Sequence, residues 1–220
     1  MKVFCVIPAL NEEKNISSVV DDVKKIVDEV VVVDDGSIDK TGLVARDHGA
    51  TVLSHFINRG QGAALQTGNE YALRNGADII VHFDADGQFS AEEIGDIISP
   101  IINEDYDVVL GSRFLGKATN MPFLKRYFII PLARLTNYLL FNVNLSDPQS
   151  GFRALSRKAV TQIEIEQSGW AHCSEILSKI VASKMKLKEI PITVTYSKFG
   201  RSFSSGFEII KDTIIGKFIN

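Results

Sequence analysis

The stretch Glu29–Val33 reads EVVVV, four consecutive β-branched apolar residues that end in Asp34-Asp35-Gly36-Ser37. Successive side chains of a strand point to opposite faces, so an unbroken apolar run needs cover on both sides. Lys2–Ile7 and Asp78–Phe83 (DIIVHF) are further strand-like runs of the same kind. Between them, Asn15–Val27 places Ile16, Val19, Val20, Val23 and Ile26 at helical spacing. A second helix follows Ser37 to about Asp47, Thr51–Ser54 is a weak strand, and Gln61–Asn75 is a helix with small residues at Ala63, Ala64 and Gly68. Ala91–Asn103 reads as helix and Asp107–Leu110 as strand. Apolar strands alternating with amphipathic helices predict an α/β fold, with a mostly parallel sheet and helices on both faces.

At 220 residues the chain can bury the core of one such domain. Its 24 Lys and Arg against 27 Asp and Glu, with 45% hydrophobic residues, exclude a disordered chain and a generally basic nucleic-acid binder. Cys5 and Cys173 cannot make a disulfide framework, which favours a reducing, cytoplasmic setting. His48, His55, His82 and His172 show no metal-ligand spacing. No run reaches the ~18 apolar residues needed to span a bilayer, and the N-terminus reads as a first strand rather than a signal peptide.

Residues 114–150 break the alternation. Pro122 and Pro131 punctuate two short amphipathic helices, where Phe123, Tyr127, Phe128, Leu139 and Phe141 interleave with Lys125, Arg126 and Arg134. Arg157–Ile163 and Ser174–Ser183 then read as helices, Lys188–Thr195 as a strand and Ser205–Ile219 as a closing helix. No acidic residue occurs from Val108 to Ser146. The expectation is a single domain over 1–220 with a basic, apolar appendage.

Ligands of parallel α/β sheets bind at the carboxyl ends of the strands. Three of those ends carry Pro8-Ala9-Leu10-Asn11-Glu12, Asp34-Asp35-Gly36-Ser37 and Asp84-Ala85-Asp86-Gly87-Gln88. Asp84 and Asp86 sit two apart at the end of an apolar strand, whose period of two points both side chains to one side, where they can share a divalent cation with Gln88. Carboxylates at strand ends also serve as ordinary turn-formers and caps, and that alternative stands beside the metal reading. There is no G-x-G-x-x-G after the first strand, no G-x-x-x-x-G-K-[ST] and no G-x-S-x-G. A metal–nucleotide site without a tight glycine cradle remains.

In order along the chain, Val6-Ile7-Pro8-Ala9-Leu10-Asn11-Glu12, Val32-Val33-Asp34-Asp35-Gly36-Ser37, Asn58-Arg59-Gly60-Gln61-Gly62-Ala63-Ala64, Asp84-Ala85-Asp86-Gly87-Gln88, Gly111-Ser112-Arg113 and Asp147-Pro148-Gln149-Ser150-Gly151-Phe152-Arg153 resemble the motifs of family 2 glycosyltransferases of the GT-A fold. The branch most similar is that of the polyprenyl-phosphate sugar transferases, such as dolichyl-phosphate mannose synthase. The resemblance implies that Pro8, Ala9, Glu12 and Asp35 line the base and ribose pocket, that Asp84 and Ala85 sit beside the nucleotide, and that Asn11, Gly36 and Gln61 also belong to the donor-binding set. It implies that Asp84, Asp86 and Gln88 hold Mg²⁺ or Mn²⁺ against the donor diphosphate. Asp86, Arg113 and Arg153 are the implied catalytic set, the two arginines as phosphate contacts. Residues of about 1–113 would then bind the donor, and 114–220 would face the acceptor and the membrane.

Two departures from the family pattern carry information. Hydroxyl-directed members place a Glu-Asp pair before a late helix, the Asp acting as general base; here Ser174-Glu175 stands without that Asp. A phosphate acceptor is already anionic and needs no base. In Tyr196-Ser197-Lys198-Phe199-Gly200-Arg201-Ser202, Lys198 precedes the glycine and Arg201 follows it, the reverse of the mannose-synthase arrangement. The expected activity is inverting transfer of a hexose from GDP-mannose or a UDP-sugar to a polyprenyl phosphate. A glycan hydroxyl acceptor and a metal-dependent nucleotidyltransferase are the alternatives. The expected setting is the cytoplasmic face of a membrane, peripherally bound, with a partner membrane protein or a second copy as further company.

Overall fold

A computed structural model of the protein describes residues 1–115, 145–169 and 171–195. The expected amphipathic pair within 122–143, the segment 196–202 with Lys198 and Arg201, and the helix expected over Ser205–Ile219 lie outside the described residues.

The alternation is as the pattern predicts. Strands β1 (Val3–Ala9), β2 (Glu29–Asp34), β3 (Thr51–Ser54) and β4 (Ile79–His82) alternate with helices α1 (Ile16–Val23), α2 (Thr41–Asp47) and α3 (Gln61–Arg74). After β4 come α4 (Ile94–Glu104), β5 (Val108–Ser112), β6 (Arg153–Ser156), α5 (Arg157–Gln162), α6 (His172–Ala182) and β7 (Leu187–Pro191). Among the described residues these strands form one seven-stranded sheet in the order β3-β2-β1-β4-β6-β5-β7. All neighbours run parallel except β6, which is antiparallel to both β4 and β5.

The unbroken apolar runs have the predicted cause. Cys5, Ile7, Val30, Val32, Ile79 and Val81 pack on one face with α1 and α4. Phe4, Val6, Val31, Val33 and Ile80 pack on the other with α3, α5 and α6. Alternate residues of each strand thus enter different cores, and neither face can be polar.

Three differences have physical reasons. Helix α1 stops at Val23 rather than Val27, and Ile26 and Val27 continue in turns back-bonded to Val23. The last strand ends at Pro191 rather than Thr195, because proline interrupts the ladder; Val194 makes only an isolated bridge to Phe89. Strand β6 has no counterpart in the sequence expectation. Its four residues begin with Arg153, a charged residue that reads as a loop, yet Arg153 pairs with His82 on one side and Leu110 on the other.

Candidate active site

Strand β1 lies between β2 and β4, all three parallel, so their carboxyl ends open on the same edge. The chain runs outward from β1 to β2 and β3 on one side and returns to β4 on the other. The crevice beside β1 is therefore a topological switch point. The three motif-bearing loops meet there.

In the first loop, Pro8 and Ala9 are still strand residues, paired with Val33 and Asp34. Asn11 takes a left-handed φ of 55°. Its Oδ1 accepts the Ile38 N–H at 2.9 Å and its own N–H donates to Ser37 Oγ at 3.0 Å. The Glu12 N–H donates to Thr41 Oγ1 at 2.8 Å, and Glu12 Oε2 accepts from Asn15 Nδ2 at 2.8 Å. Asn11 and Glu12 knit the first loop to the second.

In the second loop, Asp35 is 3% exposed and accepts three hydrogen bonds. They come from the Arg59 N–H at 2.9 Å, the Gly60 N–H at 2.7 Å and His55 Nδ1 at 2.6 Å. A carboxylate offers about four acceptor sites, so one is left for a ligand. Gly36 has φ 78°, and a Cβ there would stand 2.7 Å from the Asn58 nitrogen. The loop after β3 thus closes directly on the second loop, tied there by the Arg59 and Gly60 N–H groups and by His55, which the sequence does not mark as a site residue. Its Nε2 reaches Thr67 Oγ1 of α3 at 3.0 Å.

The third loop corrects one step of the sequence argument. Strand β4 ends at His82, so Asp84 and Asp86 stand in the turn beyond it, where strand alternation does not set their direction. They interact nonetheless. Burial pushes the Asp84 carboxyl up to about 6, the Asp86 charge pushes the same way, and Arg153 opposes both. Gln61 Nε2 donates to Asp84 Oδ1 at 3.1 Å, and the Gln88 N–H donates to Asp86 Oδ1 at 3.1 Å. A Cβ on Gly151 would lie 2.6 Å from Asp84 Oδ2, so only glycine lets the loop before β6 approach this carboxylate. Ala85 is buried between the two aspartates.

Among the described residues, no three His, Cys, Asp or Glu side chains gather as a metal cage. Two mutually repelling carboxylates with a neighbouring amide still fit a hard divalent cation that completes its shell with phosphate and water oxygens. The chemistry of this donor set is all oxygen.

The arginines are less exposed than phosphate ligands at an open edge. Arg113 is clamped by Asp147 through Nε at 2.5 Å and Nη2 at 2.6 Å, and Asp147 also accepts the Arg113 N–H. Glu189 holds that loop in turn, accepting from Ser146 and from the Asp147 N–H. Arg153 is 2% exposed, with Nη2 on Cys173 Sγ at 3.3 Å and Nε without a partner among the described residues. Around it, His82 bonds Asn69 at 2.8 Å and sits well below the usual imidazole range, through burial first and then the charges of Arg153 and His172. Burial pushes the Cys173 thiol up, but His172 and Arg153 together bring it down to about 6. Arg153 is among the residues the family resemblance implies, and Asp147 stands in the same motif; Asn69, His82, Cys173 and Glu189 carry no such signal, because the contacts that join them link residues 13 to 42 positions apart.

The family model described as Glycosyl transferase family 2 matches residues 4–163. The chain belongs to that family. This family 2 glycosyltransferase is 33% identical to the UDP-N-acetylglucosamine–dolichyl-phosphate N-acetylglucosaminyltransferase of Methanococcus voltae, over 94% of this chain and 92% of that one. It is 28% identical to the polyprenol monophosphomannose synthase of Mycolicibacterium smegmatis, over 94% of this chain and 83% of the relative. In fold it resembles glucosyl-3-phosphoglycerate synthase of Mycobacterium tuberculosis, solved with Mn²⁺, uridine diphosphate and phosphoglyceric acid. The TM-score is 0.77 at 22% identity, covering 97% of this chain and 76% of that one. The family 2 enzyme has no helix, among the described residues, long and apolar enough to cross a membrane.

Proposed function

We propose that this enzyme transfers a hexose from a nucleotide-sugar to a polyprenyl phosphate, inverting the anomeric centre in one in-line displacement. The observation that carries the proposal is the Asp84–Asp86 pair beside β1, two carboxylates at the switch point with Asp84 pushed up to about 6 by burial and then by its neighbour. Such a pair is costly alone and becomes favourable when a cation shares it. Asp84, Asp86 and Gln88 would hold Mg²⁺ or Mn²⁺, which when bound supplies Lewis-acid stabilisation of the departing nucleoside diphosphate.

The chain's own residues do the rest. Pro8, Ala9, Asn11, Glu12, Asp35 and Gly36 form the wall for base and ribose, with one Asp35 acceptor site turned to the ligand. Gln61 fixes the rotamer of Asp84, and Ala85 packs the turn. Arg113, made rigid by Asp147, faces a phosphate group, and Arg153 acts from the interior as the counter-charge that keeps Asp84 ionisable. Residues of about 1–113 serve the donor; the remainder serves the acceptor at a membrane surface, on the cytoplasmic side.

A phosphate oxygen of the acceptor is already charged, so no proton has to be removed as it attacks. The activities for which the Methanococcus and Mycolicibacterium relatives are named, both on polyprenyl-type phosphates, support that acceptor. They differ in the sugar, N-acetylglucosamine in one and mannose in the other.

Asp86→Ala tests the proposal. Losing the cation at the departing diphosphate costs several kcal/mol of barrier, a fall of ~10³-fold or more in turnover. Far-UV circular dichroism is expected to stay unchanged. Full activity in EDTA would contradict the proposal.

A further inference from the structure

Glu175 occupies the first turn of α6 and its side chain is only 12% exposed. Its two oxygens accept the Glu166 N–H at 3.0 and 3.1 Å and the Gln167 N–H at 2.9 Å. Lys179, one turn further on, bridges Glu175 and Glu166, each at 2.9 Å. The stretch 164–168 is therefore stapled to α6 by one carboxylate and its lysine.

That stretch is the cap of α3. The Ser168 carbonyl accepts the Gly62 N–H at 3.1 Å, satisfying one of the donors a helix leaves open at its start. The packing has no slack, since a Cβ on Gly62 would fall 1.9 Å from the Gln167 carbonyl oxygen and one on Gly60 2.2 Å from that of Ser168. One turn along, Gln66 Oε1 accepts the Ile165 N–H at 2.9 Å. The residue between these two tightly packed glycines is Gln61, whose amide holds Asp84 at 3.1 Å.

We propose that Glu175 is a positioning residue of the donor site. Through the 166–168 backbone it sets where α3 begins, and through Gln61 it sets the orientation of Asp84. It does not serve as the base of the reaction, because its lone pairs are already spent on two backbone N–H groups and a lysine. This assignment rests on the reading of Asp84 and Asp86 as the metal–diphosphate site.

Glu175→Ala and Glu175→Gln separate the roles. The probes are Mn²⁺ with UDP and Mn²⁺ with GDP, titrated calorimetrically, alongside amide hydrogen exchange at Gln61–Ala64 and steady-state kinetics. Glu175→Ala is expected to speed exchange at Gly62 about tenfold, to weaken Mn²⁺–nucleotide binding about tenfold and to raise the donor KM more than it lowers kcat. Glu175→Gln keeps an acceptor oxygen for the loop and is expected to restore most of the affinity and kcat. If Glu175→Ala does not fold, Lys179→Met is expected to show the same changes at about threefold, and no change there overturns the assignment. Two inactive variants with unimpaired Mn²⁺–nucleotide affinity would make Glu175 a base and overturn it. Affinity equal to wild type in Glu175→Ala overturns the positioning role alone, whereas a wild type that binds neither nucleotide with Mn²⁺ overturns the reading of the site itself.

Discussion

His55 and Asp35 form a buried pair, Nδ1 to Oδ1 at 2.6 Å, with side chains 7% and 5% exposed. Because His55 also reaches Thr67 through Nε2, this one ring joins the end of β2, the loop after β3 and helix α3. The loop after β2 is thereby fixed by the protein's own groups.

Removing that ring leaves Asp35 with its two backbone donors only. A hydrogen bond to a charged group contributes about 1.5–3 kcal/mol, so His55→Ala is expected to lower stability by that amount. In a protein of this size the melting temperature falls roughly 5–10 °C. Thermal unfolding followed by circular dichroism checks it, and a fall below 1 °C would show the pair to be incidental.

The raised Asp84 carboxyl makes a pH prediction with a definite sign. Its folded value of about 6 exceeds the ordinary 3.8 through burial first and the Asp86 charge second. Between those two values the folded state holds a proton that the unfolded chain has lost, so without metal this group's contribution to stability is fully present below 3.8 and is lost as pH rises through about 6. A cation needs the ionised form, and its affinity runs the other way. The rise in melting temperature produced by Mn²⁺ is expected to be largest above pH 7 and nearly gone at pH 5. An equal Mn²⁺ effect at both would place the cation elsewhere.

Much of this architecture is written in the chain. Consecutive valines in β2 demand two covered faces, and the carboxylates at the strand ends mark out the candidate edge. Strand β6 is hidden because its first residue is Arg153, whose burial depends on the neighbouring His82 and Leu110 strands and on Cys173, all distant in sequence. The same distance conceals the 20-residue separation of Asp35 and His55 and the clamp of Asp147 on Arg113 across 34 residues. Single-residue signals reveal which groups carry chemistry; the groups that hold them in place become visible only when the loops are packed.

Residues 122–143 carry the expectation of membrane contact from sequence alone. Lys125, Arg126 and Arg134 can each gain about 1 kcal/mol near an anionic surface, with Phe123, Tyr127, Phe128, Leu139 and Phe141 adding apolar burial. The wild type is expected to co-sediment with anionic liposomes and a Lys125→Glu/Arg126→Glu variant to stay largely in the supernatant. Wild type and variant both remaining in solution would refute membrane docking.

Metal-dependent transfer to a lipid phosphate can be tested in one incubation. The enzyme is mixed with Mn²⁺, a polyprenyl phosphate and each of radiolabelled GDP-mannose, UDP-glucose and UDP-N-acetylglucosamine, then extracted with organic solvent. Label from one of these donors is expected to enter the organic phase, and EDTA or Asp86→Ala to keep it in water. Label that stays in water with every donor, or that enters the organic phase equally well in EDTA, would contradict it.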